Sequence, residues 1–523
     1  MKLILVAIII VALADEGISD RSKIDPRLLS RKSSETSNIF ITFHNGTEYT
    51  IEHTGKSLFP GRAEKITALH DRLREHANHS QINVIAYLQR REKGPETKFQ
   101  SFWISNEVFV KDVTMDDITA LAKLQEVKFV SLEKVILLDT IDSGNITLTT
   151  FPGVQWGVTK IKAPEAINLL KTSSVIASQV VVGVIDTGCR YTHETLRYNW
   201  VGEYGWFDPY DGNMLPFDLN GHGTHVTGTI CGKGGIGVYP DAKWMACRGC
   251  EGRTCSQSSL ASCAQFMFCP TKADGSGSDC SKAPMIINNS WAGPGGHTWY
   301  DQYIAAWLAA DIIPVFAIGN SGTSCNTAGY PGDNILVIGV GGTAINDQIY
   351  SLSSVGPALN GGLKPDVSAP GVDVYSASHL TDDLYTTKSG TSMAAPHVSG
   401  LVAILRAYNP NLSTADAVTY LRQGAETNLV SSGQTCGGKP DNIFPNNHFG
   451  YGRVNAFKSL QSLMYASTPF RCLTAGIYVN SRNCRKYYKC VEIWGKLYTF
   501  DLTCPPWSYF HKDRKKCILG KCT

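Results

Sequence analysis

Val180-Val181-Val182-Gly183-Val184-Ile185-Asp186-Thr187-Gly188 is an unbroken apolar run that ends in a carboxylate. A strand with one face in water alternates apolar with polar residues. A strand covered on both faces does not, and burial of both faces marks a parallel sheet flanked by helices. Met285–Ile287, Pro314–Ala317 and Ile335–Val340 read the same way, and Thr224–Ile230 and Tyr300–Ala310 supply helices between them. The alternation predicts an α/β domain with a parallel sheet from Val154 to about Leu463. Asp186 then stands at the carboxyl edge of the sheet, where sites form in such folds.

Two further segments supply chemistry that a carboxylate at that edge can serve. They are Gly221-His222-Gly223-Thr224-His225-Val226 and Ser389-Gly390-Thr391-Ser392-Met393-Ala394-Ala395-Pro396-His397. A serine hydroxyl is a weak nucleophile until a base takes its proton, and the base needs a partner that fixes its tautomer. Ser392, His222 and Asp186 are the candidates for these roles. Ser392 precedes the apolar run Val398–Leu405, which reads as a buried helix, so the serine meets the unpaired N–H groups of a helix start. Asn320, in Val315–Gly322, is the candidate for a second donor to a developing oxyanion. Singly, each segment has another reading. Asp186 is also a plain polar strand end, Asn320 a turn cap, and His222 with His225 a metal pair, though without a nearby acidic third ligand. Together, in this order, they point to acyl transfer.

The bounds of the chain fit an exported hydrolase. Its 523 residues suggest two to four units. Met1-Lys2 precedes an apolar run, Leu3–Leu13, that closes on Ala12-Leu13-Ala14; this is too short for a bilayer span and reads as a secretory signal cut near Ala14. No later segment reads as a membrane anchor, and a soluble extracellular protein is expected. Of 16 cysteines, none precedes Cys189, ten fall between Cys189 and Cys436, and six in the last 52 residues. Even counts after export favour disulfides, including for the Cys247/Cys250 CxxC, which in the cytosol would suggest a metal or redox role. Pairing of the ten stays open. The net charge is +3, yet ten basic residues face three acidic ones after Cys472. That tail is either a polyanion-binding or membrane-surface patch or a solvated basic face.

Ahead of the α/β region, residues 15–37 are polar and read as a mobile lead-in. Then come a strand at Ile39–Phe43, a helix over Glu64–His76 with Ile66, Leu69 and Leu73 on one face, and a strand candidate over Phe99–Val110. A helix from Asp116 carrying Ile118, Leu121 and Leu124, and a closing strand over Val127–Leu138, complete a β-α-β-β-α-β, ferredoxin-like order. Asn45, Asn78, Asn145 and Asn288 each begin a glycan acceptor triplet.

Behind it, a short linker, 464–471, leads to Cys472, Cys484, Cys490, Cys504, Cys517 and Cys522. About 50 residues cannot bury enough apolar surface without staples, so a disulfide-rich β module is expected. Aromatic residues crowd between the cysteines. Exposed rings are natural platforms for the flat C–H faces of sugars, and Trp494, Tyr498 and Trp507 are the stacking candidates; one of Tyr487 and Tyr488 is expected to pack the small core instead.

Gly183–Gly188, Gly221–Thr229, Ile318–Gly322 and Ser389–His397 resemble the four signature regions of subtilisin-like serine endopeptidases. Ala242–Arg248, Ile286–Trp291 and Lys364–Gly371 are most similar to the bacillopeptidase F-like branch. The resemblance implies a three-layer α/β domain in which Asp186, His222 and Ser392 form the triad and Asn320 the oxyanion site. It implies that Ser290, Trp291, Ala292 and Gly293 form one edge of the cleft, and Ala317, Ile318 and Gly319 the other wall of the side-chain pocket. Ala292 stands where the family often has glycine, so its methyl would narrow the entrance. Trp291 implies an apolar upstream subsite, or else belongs to the core. A glycan on Asn288 would obstruct the cleft, so that acceptor is expected to be unused. The chemistry needs no cofactor; calcium is common in the family, but no metal ligands are assigned here.

The N-terminal order is similar to the inhibitory propeptide of the same family, which implies a folding template whose last strand lies in the cleft and a cut between about Asp139 and Pro152. The six cysteines, with Tyr487–Cys490 and Cys504–Phe510, resemble a peritrophin-A type chitin-binding domain. That resemblance implies the pairs Cys472–Cys490, Cys484–Cys522 and Cys504–Cys517. The expected division is a signal (1–14), a propeptide (15–150, its inhibitor-like part 38–138), a peptidase (151–463), a linker (464–471) and a chitin-binding domain (472–522). The expected protein is a monomeric, secreted serine endopeptidase zymogen tethered to chitinous matrix. Its partners are protein or peptide substrates, chitin and its own propeptide, with no nucleic acid and no membrane anchor. The other reading is a lectin-like chitin-binding protein whose protease domain serves as scaffold.

Overall fold

Val181–Asp186 lies inside a seven-stranded sheet. The strand order is Val367–Pro370, Ile338–Thr343, Ile313–Ala317, Ile286–Asn289, Val181–Asp186, Lys243–Arg248, Trp206–Phe207, with parallel neighbours throughout. The computed structural model describes residues 21–32, 35–91, 98–138, 142–147, 153–467, 474–480, 484–493 and 496–520, with backbone only for 91, 142–147 and 493. Every residue of Ile286–Asn289, Ile313–Ala317 and Ile338–Thr343 is buried, as non-alternating strands require. One expected strand starts late. Ile335 and Leu336 are exposed, because the Asn334 side chain accepts from Leu336 N (2.8 Å) in a turn before Ile338.

Two helices carry the site. His222–Cys231 is buried at every residue, and Thr391–Tyr408 is buried from Thr391 through Ala407. Thr391–Tyr408 packs on the strands around Ile286, Ile313, Ile338 and Val367 as well as on His222–Cys231, which explains why neither helix has a polar stripe. Gly223 permits the approach of helix to strand: a Cβ there would sit 2.1 Å from Gly188 O and 3.1 Å from Asp186 Cβ.

The N-terminal segment forms a four-stranded antiparallel sheet in the order Phe99–Phe102, Glu107–Val113, Ser37–Phe43, Val127–Leu132. Helices Glu48–Gly55, Arg62–Ser80, Ile82–Arg91 and Met115–Ala122 accompany it. The single strand expected over Phe99–Val110 is a hairpin, turned at Asn106 with φ 51°. The lead-in is partly anchored: Ile24 and Leu28 are buried in this segment's core, and Asp25 caps the short helix Pro26–Leu29. Phe40, Ile66, Leu69, Leu73, Phe102 and Ile104 share one apolar cluster with Phe268, Tyr300 and Trp307 of the α/β body. The two layers therefore bury one continuous core.

The expected closing strand, Val127–Leu138, divides at Glu133. Its first half stays in the N-terminal sheet, while Val135–Leu137 pairs antiparallel with Thr254–Ser256 of the α/β body. The Glu133 carboxylate accepts from Ser258 N (3.1 Å) and Ser258 Oγ (2.5 Å) at the start of helix Gln257–Phe268, the end of a helix dipole that favours an anion. Farther on, Asp142–Thr147 pairs antiparallel with Tyr385–Ser389, itself paired with Val374–Ala377.

In the α/β body Cys247–Cys263, Cys250–Cys255, Cys269–Cys280 and Cys325–Cys436 are bridged. The CxxC residues are thus in separate bonds, Cys247 joining its strand to helix Gln257–Phe268 and Cys250 joining a loop to strand Thr254–Ser256. Cys189 and Cys231 remain buried thiols, against the expectation of full pairing. The chain divides into two units, Met1–Ser459 and Leu460–Thr523. Helix Ala456–Ser467 occupies the first residues of the expected linker. In the second unit Gly476–Val479, Lys486–Ile493 and Lys496–Thr503 form an antiparallel sheet, and Ser508–His511 pairs with Lys516–Leu519. Cys504 is bonded to Cys517, and Cys484 and Cys490 are each disulfide-bonded. Tyr487 stacks on Phe510 at 4.6 Å. The expected signal, Cys472, Trp494 and Cys522 lie outside the described residues, and no described helix is long and apolar enough to cross a membrane.

Candidate active site

Asp186 ends its strand with 1% of its surface exposed, and His222, equally buried, opens the helix that follows Gly221. The Asp186 Oδ1 accepts from Thr187 N and lies against His222 Nδ1, each at 2.7 Å. A carboxylate only accepts, so Nδ1 carries the proton and Nε2 presents a lone pair. Among the described residues Nε2 has no partner. That is the tautomer a general base needs.

Asp218 holds this pair in place, a role sequence reading missed. Its Oδ1 accepts from Thr187 Oγ1 (3.0 Å), Asn220 N (2.9 Å) and Gly221 N (2.8 Å), and its Oδ2 from Thr224 N (2.9 Å) and Thr224 Oγ1 (2.7 Å). One carboxylate thereby joins the loop after Asp186 to the first turn of the His222 helix. The signal was present in Asp218-Leu219-Asn220-Gly221, since Asp and Asn two or three residues before a glycine favour such turns. His225 is not half of a metal pair: its Nε2–H donates to Val374 O (2.8 Å), and complete burial holds its pKa well below the usual histidine range.

Ser392 is the second residue of its helix. Its Oγ donates to Ser290 O, and Ser290 Oγ donates to Ser392 O, both at 2.9 Å. Asn320 Oδ1 accepts from Thr391 N and Thr391 Oγ1, also at 2.9 Å each. With its oxygen committed, the Asn320 amide turns its NH2 toward the space over Gly390. A Cβ on Gly390 would stand 3.6 Å from Asn320 Nδ2 and 3.7 Å from Ser392 N. The missing side chain leaves a gap that two N–H donors border, which suits an oxyanion.

Beside Asn320 lies a cavity of ≈ 420 Å³ lined by Ala292, Gly293, Gly319, Ser321, Thr327 and Gly329, with Val135–Leu137 at its rim. Of the seven residues expected to form the cleft, Ala292, Gly293 and Gly319 reach it. Ser290 instead supports Ser392. Trp291 is core, its ring edge-on to Tyr300 and Phe316 at 5.3 Å each, because a ring that large gains more by burial than by lining a rim. Ala317 and Ile318 face into the sheet layers and are buried. Ser321 and Thr327 were not foreseen. Asn288 is fully buried, with its amide on Ser290 Oγ (2.9 Å) and its oxygen accepting from Ser399 Oγ (2.8 Å), which closes that acceptor triplet to a glycan.

Among the described residues the one cluster with three metal-donor side chains is His70, Cys269 and Cys280, and its two sulfurs are joined to each other. In the second unit Tyr498 and Trp507 are exposed, Trp507 by 84%.

The subtilase family profile matches residues 177–452, and a chitin-binding peritrophin-A domain profile matches residues 472–521. The chain is 31% identical over 438 residues to Bacillopeptidase F of Bacillus subtilis (strain 168), covering 76% of this chain and 29% of that protein's length. It is 35% identical over 280 residues to Subtilisin DY of Bacillus licheniformis, covering 51% of this chain and 93% of the relative. To Subtilisin BL of Lederbergia lenta it is 31% identical over 290 residues, covering 54% and 96%.

Proposed function

This chain belongs to the subtilase family of serine endopeptidases and ends in a peritrophin-A type chitin-binding domain, and from that premise we propose that it is a secreted zymogen that hydrolyses peptide bonds in proteins lying on or near chitin. Ser392 Oγ attacks the peptide carbonyl while His222 Nε2 removes its proton. Asp186 holds the imidazole and stabilises its charged form, and the carbonyl oxygen, now an oxyanion, accepts from Asn320 Nδ2 and Ser392 N. His222 then protonates the leaving amine, and water repeats the sequence on the acyl-enzyme. The observation that carries this reading is the 2.7 Å contact between His222 Nδ1 and Asp186, which leaves Nε2 free as an acceptor. The attack requires the Ser392 hydroxyl to leave Ser290 O and donate to Nε2 instead. Reaction with a fluorophosphonate probe tests it: the matured protein should label at Ser392 and the Ser392→Ala variant should not. The Asp186–His222 pair weighs against a pure scaffold role.

Two ladders support the zymogen reading. Val135–Leu137 pairs with Thr254–Ser256, Leu138 N donates to Arg253 O (2.8 Å), and Asp142–Thr147 pairs with Tyr385–Ser389, three residues short of Ser392. Addition of an extended strand to an enzyme's edge is how a peptide is commonly presented. We therefore assign the maturation cut to the peptide bonds between Leu138 and Asp142, the early end of the window expected from sequence. The four bridges of the body and the signal-like Leu3–Leu13 run favour an oxidising, extracellular setting. Retention of the second unit on chitin beads, independent of salt, tests the tether.

A further inference from the structure

We propose that the Cys325–Cys436 disulfide is a positioning element for substrate recognition: it fixes the wall of the cavity beside Asn320 that receives the side chain preceding the scissile bond. The inference rests on the serine peptidase reading and adds to it a residue pair that acts through the pocket rather than on the reacting atoms.

Thr327 and Gly329 form that wall, at the end of a loop with no helix or strand of its own between Ala317 and Ile338. The sheet side of the loop is secure, since Gly329 N donates to Ile318 O at 2.7 Å. The outer side is hydrogen-bonded to the 352–356 segment, with Gly322 N on Leu352 O at 2.9 Å, Ala328 N on Val355 O at 3.0 Å and Val355 N on Thr327 Oγ1 at 2.9 Å. Asn326 N reaches Gly356 O at 3.2 Å, Thr327 N reaches Val355 O at 2.9 Å, and Thr327 Oγ1 donates back to Gly322 O at 2.8 Å. Asn326 turns the chain with φ 63°, a left-handed conformation that asparagine adopts readily. A covalent link at the exposed residues 324–326 would anchor the outside of the turn.

Cys325, the residue before Asn326, supplies one. Its partner Cys436, 111 residues away, is 1% exposed and sits in the short Thr435–Cys436/Lys439–Pro440 ladder. Cys436 O accepts from Asn447 Nδ2 (3.0 Å), and Asn447 O accepts from Gly356 N (2.9 Å), the neighbour of Val355, on which Thr327 leans. Bridge and hydrogen bonds therefore close a ring behind the pocket wall. The other three bridges of the body join near neighbours, 5 to 16 residues apart, around the Lys243–Arg248 strand and helix Gln257–Phe268. Their cysteines are all buried, whereas Cys325 is exposed and open to a reductant.

The test uses the matured full chain. A water-soluble phosphine at low concentration should open Cys325–Cys436 before the buried bridges, as mass mapping after alkylation would verify; the Cys325→Ser/Cys436→Ser double variant provides a second route. Peptides that differ only in the residue before the cut, alanine against phenylalanine, are compared with fluorophosphonate labelling, which needs no side chain in the pocket. The expected result is a loss of about tenfold in kcat/KM for the phenylalanine peptide, carried by KM, with the alanine peptide and the labelling rate little changed. A parallel fall in all three readouts would make the bridge a general staple and overturn the proposal, as would no change at all. An unlabelled wild type would instead remove the serine mechanism on which the proposal rests.

Discussion

Asn320 and Thr391 are joined twice: the Asn320 Oδ1 accepts from both the backbone N and the Oγ1 of Thr391, each at 2.9 Å. Two donors on one oxygen leave the amide a single orientation, with its NH2 toward the gap over Gly390. Thr391, the residue before Ser392, thus aims the Asn320 NH2.

Asn320→Ala should lower kcat by about 10²–10³ with KM little changed, because the lost contact is strongest in the transition state. Thr391→Val keeps the backbone donor but removes the hydroxyl, so a smaller fall, about tenfold, is expected. Steady-state kinetics on one peptide would check both. An Asn320→Ala variant with unaltered kcat would leave Ser392 N as the sole donor.

Asp186→Asn should lower kcat by about 10⁴ while the folded state persists. Thr187 N and His222 Nδ1 both meet Oδ1, so the amide keeps its oxygen there and puts its NH2 at the Oδ2 place; what is lost is the negative charge that stabilises the imidazolium. Asp186 Oδ2 has no partner among the described residues, so an NH2 placed there breaks no existing bond. Circular dichroism should match the parent while turnover collapses.

What sequence revealed and what it hid divide along the range of the forces involved. The parallel sheet was legible because burial on both faces removes the alternation within a single strand, as in Val180–Ile185. The order of Asp186, His222, Asn320 and Ser392 was legible because glycines and helix starts mark the turns that present them. The direction of Trp291 was not, since the ring goes wherever Tyr300 and Phe316 leave room, and those lie elsewhere in the chain. Ser290 was assigned to the cleft edge because nothing local shows that its hydroxyl meets Ser392 O. Val127–Leu138 read as one strand because both halves are extended; only Ser258, far along the chain, draws Glu133 away and starts a new ladder. Cys189 and Cys231 stayed thiols although an even count suggested pairing, since parity says nothing of proximity.

Glu107 of the N-terminal segment is buried against the α/β body, where Tyr303 Oη donates to it at 2.6 Å. Burial raises its pKa despite that bond, the bond from Ser105 and the nearby Lys134 ammonium. A carboxyl whose pKa is higher when packed than when free binds its proton more tightly in the packed state. Its contribution is therefore complete below the ordinary carboxylate pKa of ~4.3 and is lost as pH rises through the raised value. The grip of the N-terminal segment should weaken as pH rises from that acid range. In the Ser392→Ala full chain, Glu107→Gln should flatten this dependence and raise the thermal midpoint at neutral pH by a few degrees. Identical pH profiles for the two proteins would show that Glu107 does not govern it.

Trp507 stands 84% exposed and Tyr498 45% exposed, so both rings are open to a ligand. Trp507→Ala and Tyr498→Ala should each release the full chain from chitin beads at lower protein loading, with hydrolysis of a soluble peptide unchanged. Retention that instead fell away in moderate salt, and was insensitive to both substitutions, would assign binding to the basic residues of this unit.

Two ladders bracket the proposed maturation cut, one running to Leu138 and the other from Asp142. Ile136 lies against the cleft edge, where its Cδ1 would be 2.7 Å from a Cβ on Gly293, and Leu138 N is held by Arg253 O. On the far side Asp142 is opposite Ser389. Only three residues separate Leu138 from Asp142, a reach of roughly 13 Å across four extended steps. The bond offered to Ser392 is expected to be one of these four. N-terminal sequencing of the matured wild type should begin at Asp139, Thr140, Ile141 or Asp142, and Ser392→Ala should remain uncut there. A start beyond Thr147 would mean that another protease trims the segment, and that Asp142–Thr147 is an inhibitory strand removed later. Lengthening the span with glycines inserted between Asp139 and Thr140 separates the two cases: self-cleavage in place should slow as the geometry loosens, while trimming by another enzyme should not.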